Sequence, residues 1–403
     1  MAEGGTARGG MGSRMIQATA QPIASNADSG LRVTRVMYFV LFAAVGAFFP
    51  FINLYYRNIG LSGAQIGVIG SVSPLVGMIA GPLWGMISDR FGVTRPLLIT
   101  GMSGAILCAF GLLSAPTFLW LVPIAAMYAF FTSPIMPLLD STTLDLLEGR
   151  RELYGRQRLW GSIGFVFTAL GFGRVIQQFG LQWLFYGYMA LLAAAMVIAL
   201  RLPARRTRLG GPLRRGLAQL VRQRAWLIFS ASLLVLGIAN SGMHTFLNIY
   251  VKEMGGGEGL VGLMWAIAAI AEVPVMFLAG PLVARIGARR TIAIAYLAYT
   301  VRWLLYGMMP APAWAVPIGL LQGVTFAPLW VAGVAYADSL APRELKATAQ
   351  GMFAATLFSL SGVIGGPISG LLFDALGAAR LFQLYSILGL AALALLWWGS
   401  KSR

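Results

Sequence analysis

The sequence predicts an all-α membrane protein with twelve transmembrane helices in two pseudo-symmetric six-helix halves. Three observations lead there: an apolar share too large for water, basic residues gathered on alternate loops, and an internal repeat at fixed spacing. The chain has 403 residues, 58% hydrophobic and 11% charged, with a mean hydropathy of +0.77. Adding the 50 glycines raises the apolar share to roughly 70%, against about 45–50% in soluble domains counted the same way. No water-soluble fold hides that much surface, which excludes a soluble enzyme or DNA-binding protein. A crossing takes about 20 apolar residues, so roughly twelve with short loops account for the length. The alternating segments of a membrane β-barrel are absent.

Hydropathy, broken at charge and Gly/Pro clusters, sets the elements in order. Residues 1–31 are rich in Gly, Ala and Ser without a continuous apolar run, and read as a disordered cytoplasmic tail. The N-terminal half, 32–201, begins with a helix at 33–56, separated by Gly60 from a second at 63–87. Arg90, Gly92 and Arg95 intervene before 96–115, and Pro116 before 118–141. Gly149, Arg150 and Arg151 precede 158–179, and Gly180 precedes 183–201. A basic cytoplasmic linker, 202–224, follows; Leu213, Leu217, Leu220 and Val221 lie on one face of a helix there, as in an interfacial helix on anionic headgroups. An orientation-setting loop with no other task fits the same residues. The C-terminal half, 225–403, repeats the pattern with helices at 225–251, 260–284, 290–309, 313–337, 347–374 and 379–399. Their breaks fall at Gly255, Gly287, Pro310, Pro342 and Gly377.

The net charge of +17 reports orientation. Twenty-five of the thirty Lys and Arg fall in the tails and loops on the side shared by both termini; only Arg57, Arg174, Lys252, Arg302 and Arg380 lie elsewhere. The positive-inside rule therefore places both termini in the cytoplasm, in a multi-pass protein of the cytoplasmic membrane, and a nucleic-acid partner becomes unnecessary. A single Cys and a single His leave no disulfide framework and no clustered metal site, and no cofactor motif is present.

The halves share a register. Asn53, Tyr55, Gly60 and Gly67 return as Asn248, Tyr250, Gly255 and Gly262, each 195 residues later, and Arg57 becomes Lys252. Gly85, Arg90 and Gly92 return as Gly280, Arg285 and Gly287 at the same offset. A second repeat relates Gly81-Pro82, Gly85, Asp89 and Gly92 to Gly366-Pro367, Gly370, Asp374 and Gly377. Six plus six helices with nested repeats describe a rocking transporter whose site lies at the midplane. The stretch Gly85-Met-Ile-Ser-Asp89-Arg90-Phe-Gly92 with Arg95 resembles the loop signature of the major facilitator superfamily, and Arg285, Gly287, Arg289 and Arg290 resemble its degenerate copy. In that fold Asp89 is expected to act as a charge lock, accepting hydrogen bonds from basic groups or a helix N-terminus in one state and releasing them in the other. A merely solvated aspartate is the alternative.

Charges inside a bilayer cost about 2.5–3.5 kcal/mol each on insertion scales, so those present point to function. Asp140, Arg158, Glu272 and Arg302 qualify, and His244 is the one histidine. Asp338 and Asp374 are read as interfacial, near helix ends on the side of the termini. Glu272 with Arg302, Gln322 and Thr325, and Asp140 eighteen residues before Arg158, resemble the lactose permease and phenylpropionate permease branch of proton symporters. The resemblance implies that Asp140 and Arg158 contact solute, a carboxylate accepting and a guanidinium donating to hydroxyls; a structural ion pair is the alternative. Asn53, Asn248, Gln322, Thr325, Trp160 and Trp330 join them as candidate substrate contacts. Lactose permease has a His and a proton-binding Glu in helix 10, where this chain has Gln322 and Thr325. Proton coupling would then fall to Glu272, with Arg302 and His244, and a permanent Glu272–Arg302 salt bridge in an uncoupled facilitator is the competing arrangement.

The aromatics Phe48, Phe49, Tyr55 and Trp265 could stack on a sugar face or an aromatic ring. A solute carboxylate would suit a free Arg302; a glycoside or nucleoside would suit Asp140 and Arg158, and the sequence leaves both open. The expectation is a monomeric secondary transporter of a small organic solute, coupled to protons, with no metal or cofactor. A facilitator or efflux pump of the same fold, and a transporter-like sensor or scaffold, are the alternatives. A hydrolase built on Ser241 and His244 lacks an oxyanion hole and a second acid.

Overall fold

The computed structural model describes residues 11–115, 117–147, 149–150, 153–202, 220, 222–342 and 345–398, with the side chains of 11–28 and of Asp89 outside the described set. All regular structure among the described residues is helical. We number the long segments α1 (Ser29–Asn58), α2 (Gly63–Ser88), α3 (Thr94–Ser114), α4 (Phe118–Leu146), α5 (Tyr154–Phe179), α6 (Trp183–Ala199), α7 (Arg224–Glu253), α8 (Glu258–Ile286), α9 (Ala288–Met308), α10 (Pro312–Leu340), α11 (Lys346–Leu376) and α12 (Ala378–Trp398). Ten are long and apolar enough to cross a membrane; α6 is a shorter apolar helix, and α9 carries Arg289, Arg290 and Arg302. The protein is a multi-pass membrane protein.

One expectation shifts and one lies outside the described residues. Helix precedes α1 from Met11, inside the segment expected to be a disordered tail; Met, Gln, Ala and Arg there are good helix formers. The linker and its apolar face lie outside the described residues, apart from Leu202, Leu220 and 222–224; Leu220 is buried.

Several long helices are interrupted. The helix stops at Phe48 and restarts at Ile52 around Pro50, stops at Thr132 and restarts at Ile135 around Pro134, and α10 restarts at Gln322. A π-helical stretch, Ala355–Leu360, sits within α11. Such breaks free backbone groups and re-aim side chains, and are tolerated inside a membrane where they are buried or line a cavity.

The packing pairs recur when every number is raised by six. Helix α1 packs on α5 and α6, α4 on α2 and α3, and α3 on α6; α7 packs on α11 and α12, α10 on α8 and α9, and α9 on α12. Helix α7 touches α1 and α2 across these groups, and two larger contacts, α2 with α11 and α5 with α8, join them. Both are glycine crossings: a Cβ on Gly67 would collide with the Gly366 carbonyl, and one on Gly262 with the Ala169 carbonyl. Only glycine permits backbones that close. These crossings lie toward the end opposite the chain termini. Toward the termini a Cβ on Gly77, Gly81 or Gly85 of α2, or on Gly280 of α8, would meet nothing within 4 Å. The paired helices thus touch at one end and diverge at the other.

Candidate functional site

Polar side chains inside the bundle form two clusters and line one cavity. The first cluster joins α1, α4 and α5. The Tyr38 hydroxyl donates to Asp140 Oδ1 at 2.6 Å, and Arg158 Nη1 lies 3.8 Å from Asp140 Oδ2 while donating to the Tyr154 hydroxyl at 3.1 Å. The restart of α4 after Pro134 carries Asp140 toward α1, and Tyr154 stands one turn before Arg158. The Arg158 side chain is 51% exposed and that of Asp140 27%, so this ion pair is not sealed in the core.

The second cluster joins α8, α9 and α10, and all of it but the partly buried Glu272 is buried. Gln322 Nε2 donates to Glu272 Oε1 at 2.6 Å, and Arg302 Nη1 donates to Gln322 Oε1. Arg302 also reaches the Tyr306 hydroxyl at 3.3 Å and Thr325 Oγ1 at 3.5 Å, and it is 2% exposed. The amide therefore stands between carboxylate and guanidinium, and among the described residues no direct Glu272–Arg302 salt bridge forms. Gly323 explains the approach. A Cβ there would strike the Ala271 carbonyl, so its absence lets α10 seat Gln322 beside Glu272.

A cavity of about 520 Å³ lies between the two groups of helices, walled by α1, α2, α3, α4 and α6 on one side and by α7 and α11 on the other. Phe48, Phe49, Tyr56, Tyr128, Tyr188 and Phe358 supply its rings; Asn53, Ser73, Asn240, Ser241, His244 and Thr245 supply its polar atoms. Tyr128 donates to the Tyr188 hydroxyl at 2.8 Å, and both rings pack on Phe48. His244 stacks on Trp265 with ring centres 5.3 Å apart. Asn240 Oδ1 and His244 Nδ1 are buried and have no hydrogen-bond partner among the described residues.

The remaining candidates fall around this centre. Asn53 lines the cavity, but its repeat partner Asn248 is a strut: its Nδ2 donates to the Pro50 carbonyl at 2.7 Å and its Oδ1 accepts from Trp265 Nε1 at 2.8 Å. That carbonyl is available because α1 breaks there. Trp330 packs on Phe326, Phe353 and Phe358, one ring removed from the cavity, and Trp160 is 44% exposed on α5 without lining it. In the loop signature, Gly92 (φ 61°) caps the helix that continues from α2 to Phe91, and Gly287 (φ 88°) separates α8 from α9. The Arg90 guanidinium lies 6.0 Å from the Phe91 ring, Arg95 is half-buried and Arg285 exposed. The Asp89 side chain is outside the described set.

Asp374 departs from its expected place. It sits at the end opposite the termini, where its Oδ1 accepts from the Gly63 N–H at 2.7 Å and its Oδ2 from the Ala64 N–H at 2.8 Å, capping α2 with a carboxylate. Arg57 pairs with Glu253 at 3.1 Å at the same end. Sequence reasoning passed over Tyr154, Tyr306 and Asn240, each one helical turn from a residue it did single out.

Comparison with known proteins agrees with this architecture. The family described as "MFS_1 like family" matches residues 31–384. A maltose permease of Geobacillus stearothermophilus is 32% identical over 90% of this chain and 93% of its own. A probable 3-phenylpropionic acid transporter of Escherichia coli (strain K12) is 26% identical over 89% and 95%. Among solved structures, that of the nucleoside transporter NupG superposes with a TM-score of 0.83 at 17% identity, covering 93% of this chain and all of that one.

Proposed function

The chain belongs to the MFS_1-like family of major facilitator transporters, and from that premise we propose that it moves a small organic solute by alternating access, coupled to protons. The observation that carries this reading is the position of the cavity between the two helix groups, with their contacts at one end and divergence at the other. The recurrence of packing pairs under a shift of six supports twelve crossings in two related halves, 32–201 and 225–403, joined by 202–224. The basic residues on alternate loops favour a cytoplasmic-membrane protein with both termini inside, open in this state toward the cytoplasm.

Solute occupies the cavity, and Asp140 with Arg158 forms a polar step on its path toward the open end. Glu272 carries the proton. Gln322 couples that carboxylate to Arg302, so protonation of Glu272 changes what the amide can accept and donate without ever joining the two charges directly. Relatives with names citing maltose, a phenylpropionic acid and nucleosides favour a sugar, nucleoside or aromatic acid as solute. The test is Glu272→Gln in proteoliposomes. Loss of uphill uptake with counterflow retained is expected, since the neutral amide keeps the pathway and removes the proton site. Uphill uptake at the original rate would overturn the assignment.

A further inference from the structure

We propose that the cavity selects uncharged, ring-bearing solutes that carry a hydrogen-bond donor, and that Asn240 and His244 are its specificity-determining residues. This rests on the transport reading and narrows its substrate class. None of the described residues lining the cavity is Asp, Glu, Lys or Arg. The buried Arg302 is committed to Gln322, Thr325 and Tyr306 and is not among the lining residues. Arg302 acts on His244 only from behind the wall, so a carboxylate or phosphate entering here would give up its water without meeting a hydrogen-bonded counter-charge, which is unfavourable.

An uncharged ring meets no such barrier. Phe48, Phe49, Tyr128, Tyr188 and Phe358 offer faces and edges on which it can lie. The polar edge is narrow and directional. Asn240 and His244 are four residues apart on α7, hence on one face, and each holds a buried atom without a partner: an amide oxygen that only accepts, and a ring nitrogen that accepts or donates by tautomer. A hydroxyl or N–H of the solute would satisfy the first, and a second polar group of the solute the other. Asn248, Trp265 and the Tyr128–Tyr188 pair already satisfy one another or the backbone and shape the wall; Asn53, Ser73 and Ser241 also face the cavity, but only Asn240 and His244 among its described lining residues hold buried atoms without a partner.

The experiment uses the full-length protein and two matched pairs: phenyl β-glucoside with phenyl β-glucuronide, and 3-phenylpropanamide with 3-phenylpropionate. Affinities come from calorimetry in detergent and transport from counterflow in proteoliposomes. The neutral member of each pair should bind at least about tenfold more tightly than its anion. Asn240→Leu should weaken the neutral members about tenfold, and Asn240→Asp, which keeps an acceptor in place, should restore them to within about threefold. Equal or tighter binding of the anions overturns the proposal, as does an unchanged affinity in Asn240→Leu or failure of both neutral probes to bind at about 10 mM. Neutral binding without counterflow would sink the transport reading and leave the selectivity standing; counterflow of the anions alone would do the reverse.

Discussion

At the scale of single residues, the two polar clusters differ in what holds them, and the difference is measurable. Arg302 is 2% exposed and depends on neutral oxygens for its bonds, Gln322 foremost. Replacing Gln322 by Leu strands both a guanidinium and Glu272, so we expect a loss of about 1–3 kcal/mol, seen as a lower melting temperature in detergent; an unchanged melt would show that Gln322 holds neither. The Asp140–Arg158 pair is half-exposed at 3.8 Å, and such pairs contribute about 0–1 kcal/mol. Arg158→Lys should therefore leave the melt nearly unchanged and lower uptake at least about tenfold if the pair meets solute through bidentate bonds. Unaltered uptake with a lowered melt would identify a structural ion pair. These charges were legible because a charge in an apolar run stands out. Gln322 and Thr325 were singled out with them, but the hydroxyl partners Tyr38, Tyr154 and Tyr306 were not, because neutral polar residues do not break a hydropathy profile.

At the scale of elements, hydropathy located the helices to within a few residues, and the 195-residue repeat anticipated which glycines matter. Gly60 and Gly255 share nearly the same positive φ, 92° and 91°, and Gly67 and Gly262 both sit at crossings between the two helix groups. What the repeat could not convey is which copy is engaged. The glycine stripe on α2 is in contact at Gly63 and Gly67 and free at Gly77, Gly81 and Gly85. Gly67→Val should prevent the far end from closing and reduce uptake to background, whereas Gly81→Ala should be neutral in this state; cysteine accessibility near Asn53 would rise in the first variant alone. The Asp374 cap is a contact between distant elements, invisible to any local pattern. Asp374→Asn keeps the shape and removes the charge that faces the α2 N-terminus, costing about 0.5–2 kcal/mol of closed-end stability. The same accessibility assay should register a partial opening, and none would mean that the glycine crossing alone sets closure.

At the scale of the whole molecule, alternating access requires the α2–α11 and α5–α8 crossings to come apart at the end where they now touch. A side-chain bond across one crossing should therefore stop the cycle. Ser71 and Gly366 face each other there: a Cβ built on Gly366 would lie 3.2 Å from Ser71 Cβ but would also press on the Gly67 carbonyl, so the two backbones must ease apart slightly, which brings the Cβ atoms to the separation of about 3.5–4.5 Å that a disulfide takes. The background is clean, because the chain has one cysteine, Cys108, and it is buried. In a Cys108→Ser chain carrying Ser71→Cys and Gly366→Cys, oxidation should abolish uptake and counterflow together, and a reducing agent should restore both. Solute binding should survive in the oxidised protein, because neither Ser71 nor Gly366 lines the cavity. Loss of binding along with transport would mean that the bond distorts the cavity. Continued counterflow in the fully cross-linked protein would show that solute passes without separation of this crossing, which a rocking transporter of this architecture does not permit.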